Sequence, residues 1–131
     1  MDEIIEWLCK FAYDHNIEVT IDNVHFSSSV PSSCFGKHVV INMNWDNKEE
    51  IPFIFAHEIG HVLNGNGGVL YYSTTTSQTK IESSANDKAI ELIIEYGREI
   101  DELPADYITF MQSYHIPAFL DEKVRQRYNN S

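Results

Sequence analysis

Basic residues are scarce in this sequence. Nine lysines and arginines face twenty aspartates and glutamates, for a net charge of −11. So acidic a surface repels nucleic-acid phosphates and anionic lipid, so direct binding to nucleic acid or to a membrane is not expected. It favours a basic protein partner, or serves solubility alone. Cysteine is nearly absent: Cys9 and Cys34 make no disulfide framework and stand at no ligand-like spacing from the histidines. Reduced thiols and a cytoplasmic location are expected. No apolar run approaches the roughly 20 residues of a membrane span. Met1-Asp2-Glu3 is acidic where a secretory leader would be basic, so no signal peptide is expected. The 131 residues, 43% hydrophobic and 22% charged, have the composition of one globular domain, residues 1–131, large enough to bury a core.

What is present is concentrated between Ile54 and Asn64, an apolar stretch containing His57-Glu58-Ile59-Gly60-His61. On a helix, residues four apart lie one above the other on one face, so His57 and His61 can reach the same metal ion. Glu58 is turned about 100° from His57 and stands beside that ion. Two imidazole ligands, with a carboxylate placed to take a proton from an attacking water, are what a zinc hydrolase requires. Phe53, Ile54, Phe55 and Ala56 before the motif, and Val62 and Leu63 after it, predict a buried helix. Buried histidine and glutamate are costly unless paired or metal-bound. Gly60 leaves room between the ligands.

Downstream, Glu82 and Asn86 are again four apart, in a stretch predicted helical from Lys80 to about Gly97. Glu82 can complete a His2Glu set with a fourth position left for water. Asn86 can hold the Nδ1–H of a ligand histidine, most simply His57. Ala85 would let the two helices approach closely. A first-turn glutamate favoured by the helix dipole is the plainer account of Glu82, but it leaves a buried zinc with two ligands. The metzincin pattern is excluded, because the positions of its third histidine and its glycine hold Gly67 and Asn64.

The pair of motifs, H-E-I-G-H followed by E-x-x-A-N, closely resembles the ImmA/IrrE-type metallopeptidases, small gluzincin-like proteins of bacteria, prophages and mobile elements. The resemblance covers roughly residues 33 to 94. It implies His57, His61 and Glu82 as zinc ligands, Glu58 as catalytic base and Asn86 as a supporting residue. It also implies a helix-turn-helix repressor as the protein substrate, cleaved or inactivated so that silenced genes switch on. The chain departs from the family pattern at Ser84, where many relatives carry a second acid, and at Lys88-Ala89, where they carry Phe-Ala.

The rest of the chain predicts an α+β, zincin-like fold. Asp2 to His15 places Ile4, Ile5, Leu8, Phe11 and Ala12 at helical spacing, and His15 reads as a helix-end residue. Ile17 to Ile21 alternates as a strand, and Cys34 to Met43 reads as a hairpin turned at Gly36-Lys37. A small antiparallel sheet is therefore expected, and the resemblance implies that a strand edge beside the active helix holds extended peptide. Asp46 with Glu49 resembles a capping box. Pro52 predicts a kink or a separate first turn, and Gly65 a helix stop. Gly65 to Thr79 has the composition of a mobile loop, in which Tyr71 or Tyr72 could donate to an oxyanion but more simply pack. Pro104 can start a third helix running to about His115 with Tyr107, Ile108, Met111 and Tyr114 inward. His115 reads as a helix-end or core residue before a catalytic donor. Ala118 to Tyr128 predicts a last helix, carrying the basic cluster Lys123, Arg125 and Arg127.

The expected function is zinc-dependent peptide hydrolysis by a monomer. Two alternatives stay open: a zinc-binding anti-repressor that acts by binding without cutting, and a structural zinc closed by a fourth side chain.

Overall fold

The computed structural model describes residues 3–65 and 75–129, with the backbone alone for 75–79. Helix α1 (Glu3–Asp14) buries Ile4, Ile5, Leu8 and Ala12, the stripe its spacing marks. Trp7 and Phe11 widen that face, and Ile17 continues it into the core.

Three strands follow: β1 (Glu18–Asp22), β2 (Ser33–Phe35) and β3 (His38–Asn42), ordered β1-β3-β2. β2 and β3 form the expected hairpin, with Cys34 opposite Val39. It turns at Gly36, whose φ of +60° is one that glycine adopts without strain. β1 departs from expectation. It runs parallel to β3, with Val19 opposite Val39 and Ile21 opposite Ile41, so the sheet is mixed and not wholly antiparallel. Alternation tells which face of a strand is buried and says nothing of its direction. Here residues 23–32 carry the chain past β3 before β2 begins.

That crossing segment is fastened by Asn42, a fully buried polar side chain at the end of β3. Its Nδ2 donates to the carbonyls of Ser27 (2.9 Å) and Val30 (2.7 Å), and its Oδ1 accepts from Asn44 N–H (2.8 Å). The Ser32 hydroxyl accepts from Asn42 N–H at 2.9 Å. A buried amide is tolerated because each of its groups finds a partner.

Helix α2 (Ile51–Leu63) is preceded by a 3-10 turn, Lys48–Glu50. Asn47 caps that turn, accepting from Glu49 N–H at 3.2 Å. Asp46, the expected cap, is held in the preceding loop, where its N–H bonds Ser28 O. Pro52 lies in the first turn of α2, where a missing N–H costs no helical bond. The separate first turn is thus realised and no kink is needed. Gly65, at φ +76°, follows the C-cap Asn64.

Helix α3 (Thr75–Glu99) begins before Lys80, so Thr75 to Thr79 belong to a helix and not to the expected loop. Tyr71 and Tyr72 lie outside the described residues. Gly97, expected to end α3, sits within it. A Cβ there would stand 2.6 Å from Leu103 Cδ2, so this glycine admits the chain folding back over the helix.

Helix α4 (Tyr107–Ser113) starts after Asp106, whose Oδ2 accepts from Thr109 N–H at 3.0 Å. With that start, positions 107, 110, 111 and 114 form the inward stripe. Phe110 is fully buried, and Ile108, expected inward, is 52% exposed. A 3-10 turn, Ala118–Leu120, leads into α5 (Asp121–Asn129). Lys123 and Arg127 of α5 pair with Asp87 of α3, and Arg127 also with Glu91. Among the described residues, no helix is long and apolar enough to cross a membrane.

α3 buries Ala85, Ala89, Ile90 and Ile93 completely and crosses α2 at Gly60. A Cβ on Gly60 would lie 2.7 Å from the Ala85 carbonyl oxygen and 3.0 Å from Lys88 Cβ. Neither a backbone carbonyl nor a helix axis yields easily. Gly60→Ala is therefore expected to destabilise the fold by about 1–3 kcal/mol, read as a lower urea midpoint at unchanged slope.

Candidate metal centre

The close crossing of α2 and α3 brings three side chains to one point. His57 and His61, one turn apart on α2, turn their Nε2 atoms toward each other at 3.1 Å. Glu82 reaches across from α3 and bridges them, with Oε1 3.0 Å from His57 Nε2 and Oε2 3.0 Å from His61 Nε2. The two rings are perpendicular, 4.6 Å between centroids. Asn86, one turn beyond Glu82, faces His57 from the other side, its Oδ1 2.8 Å from His57 Nδ1. A carbonyl oxygen only accepts, so Nδ1 carries the proton and the Nε2 lone pair is left directed at the cluster.

Nitrogen lone pairs and carboxylate oxygens about 3 Å apart repel unless a cation lies among them. For a tetrahedral ion with bonds of about 2.0–2.1 Å, donor atoms stand about 3.3 Å apart, close to the spacings here. The donor set fits a divalent metal of zinc type. The three ligating groups lie within 4.8 Å of one another, and among the described residues no fourth His, Cys, Asp or Glu joins them. His61 is almost fully buried, whereas the Glu82 side chain is 42% exposed. The cluster is therefore closed beneath and open on one side.

That side is a cleft of ≈ 430 Å³, lined by His57, Glu58, Glu82 and Asn86 together with Trp45, Phe53, Phe119 and Pro117. A larger hollow of ≈ 1030 Å³ lies elsewhere, between α3 and α5, among the ion pairs of Asp87, Glu91, Lys123 and Arg127. In the cleft, burial pushes the Glu58 carboxyl up to about 7, and the negative charge of Glu82 adds to the rise. A hydrogen bond from the Cys34 thiol pulls in the other direction. Cys34 itself is pushed up to about 12, first by burial and then by the Glu58 charge, so the thiol is a donor and not a thiolate.

The family model described as the IrrE N-terminal-like domain, a peptidase family, matches residues 14–131. The chain belongs to the IrrE N-terminal-like peptidase family. The match extends well beyond the two motifs, through the sheet and the last helices, and only α1 falls almost wholly outside it. No curated protein and no solved structure matches the chain.

All five residues singled out in the sequence meet in this IrrE-like domain: His57, His61 and Glu82 at the cluster, Glu58 in the cleft beside it, Asn86 behind His57. His115 does not line the cleft. It follows the C-cap of α4 at φ +54° and pairs with Glu49 at 3.1 Å. His15 is a helix-end residue bonded to Phe11 O and stacked on the Phe11 ring. The residues that spacing could not reveal are Cys34, Trp45 and Phe119, which arrive from β2, the turn before α2 and the turn before α5. Ser84 also has a local role: its hydroxyl accepts from Asn64 Nδ2 at 2.9 Å, tying α3 to the end of α2.

Removing the Asn86 amide frees the His57 ring to rotate and to change tautomer. Asn86→Ala is expected to weaken zinc binding by about 10–100-fold, measured by competition with a chromogenic chelator. The raised carboxyl of Glu58 gives a second expectation. A carboxyl held above its ordinary value favours the folded state while protonated and opposes it once ionised. With metal chelated, the wild-type protein should lose stability as pH rises from about 4.5 to about 7. Glu58→Gln should flatten that slope and be the more stable form at pH 8, by on the order of 2 kcal/mol. Thermal melts across pH check this.

Proposed function

We propose that this chain is a zinc-dependent peptidase whose substrate is a helix-turn-helix transcriptional repressor. The observation that carries the catalytic part is the meeting of two imidazoles and a carboxylate at about 3 Å spacing, with a second, half-buried carboxylate in the same cleft. Membership of a peptidase family supports it.

His57, His61 and Glu82 would hold the ion, and Asn86 would fix the His57 tautomer. A bound zinc supplies Lewis acidity, activating water near neutral pH and polarising the scissile carbonyl. Glu58 takes the proton of the attacking water and passes it to the leaving amine.

Two points favour the repressor as substrate. A net charge of −11 attracts a basic DNA-binding protein and repels DNA itself. The resemblance on which the motifs stand also implies such a partner. The setting is a bacterial or prophage gene switch acting in the cytoplasm.

Glu58→Gln is expected to retain zinc and fold while cleaving the repressor encoded nearest its own gene about 10²–10⁴-fold more slowly. Mass spectrometry of the incubated repressor reads the cleavage. If the substitution leaves de-repression intact, the chain acts by binding without cutting and the peptidase assignment fails.

A further inference from the structure

Beyond the three donors and Glu58, the cleft is walled by apolar side chains that have no part in holding a metal. Trp45 comes from the turn before α2, Phe53 from the first turns of α2, and Phe119 from the 3-10 turn before α5. The indole N–H of Trp45 is already bonded to Glu50 Oε1 at 2.9 Å, so its ring offers the cleft no free polar group. Phe119 is 78% exposed. An exposed aromatic is by itself ordinary. This one, however, lines both the cleft and an adjoining hollow of ≈ 580 Å³, and both cavities reach Glu82 and Asn86. It is a partition standing next to the reacting centre.

Resting on the peptidase assignment, we infer that the pocket bounded by Trp45, Phe53 and Phe119 is the subsite for one large apolar side chain flanking the scissile bond, with Phe119 setting the preference. The cleft volume of ≈ 430 Å³ lies within the range of pockets that enclose small ligands, about 300–1,000 Å³. An acidic side chain entering it would face Glu58 and Glu82. A lysine would lose its hydration against the aromatic walls, and Glu82 is already engaged by both histidines. Leucine, methionine or phenylalanine meets neither penalty and covers the Phe119 ring. The occupant is thus a peptide segment with a bulky apolar residue at the cut.

The test uses peptides that differ at one position, placed in turn on either side of the scissile bond, bearing Leu, Phe, Ala, Asp or Lys. Binding is read in the zinc-loaded Trp7→Phe/Glu58→Gln protein, in which Trp45 is the remaining tryptophan and reports from the cleft wall. Cleavage is read in the wild type. Leu and Phe peptides are expected to bind about tenfold or more tightly than the Ala peptide, with Asp and Lys below Ala. Phe119→Ala should compress the Leu-to-Ala ratio to about two- to threefold, and Phe119→Leu should restore most of it. A charged peptide binding best, a ratio untouched by Phe119→Ala, or no binding at all overturns the subsite. If binding ranks as expected while the wild type cuts nothing, the subsite stands and the peptidase assignment falls. If the wild type cuts every peptide equally well at either position, the peptidase assignment stands and the subsite falls.

Discussion

At the crossing of α2 and α3 the backbone of Gly60 faces the carbonyl of Ala85, with no room for a methyl group between them. Imidazole and carboxylate side chains are short, so the metal cluster exists only if the two helices come this near. Gly60 stands immediately before His61, and Ala85 lies between Glu82 and Asn86, so the closest approach falls at the level of the donors. The bond from Asn64 to Ser84 holds one end of the same crossing, and the buried alanines of α3 continue it. A helix pair packed through large side chains would put its axes about 8–10 Å apart and leave the donors on separate surfaces.

The site also gathers groups that a stable core would keep apart. A half-buried carboxyl beside another carboxylate, and two imidazole nitrogens crowded on one point, are unfavourable in isolation. Such conflicts concentrate at functional sites, and the surrounding structure carries the cost. Here the support comes from polar fastenings close by: the amide of Asn86 on His57, and the fully bonded Asn42, which secures the loop leading to Ser32 at the cleft edge.

The residues that meet at the cluster were legible as two pairs, because four-residue spacing on a helix places side chains on one face whatever the rest of the chain does. The core stripe of α1 was legible for the same reason. Features that depend on how elements come together were not. The direction of β1 follows from where residues 23–32 lead, and alternation does not encode that. Ile108 was assigned inward because Pro104 suggested an earlier start, whereas the Asp106 cap sets the helix and its phase. Gly97 carried the signature of a helix end, yet its purpose is contact with Leu103. The aromatic walls come from two distant stretches, and no spacing links Trp45 to Phe119.

The ion pairs that fasten α5 to α3 act at short range, and the net charge acts beyond them. Lys123 and Arg127, the largest concentration of positive charge in the chain, are spent on Asp87 and Glu91, and Arg125 on Glu122. Pairing leaves the net charge of −11 unchanged, and a field of that sign reaches well beyond the surface. Encounters with a cationic protein are then accelerated by long-range attraction, and ions of the medium blunt that attraction beyond about 8–10 Å at ordinary ionic strength. Fastening the last helix therefore leaves the molecule's long-range pull on cations intact.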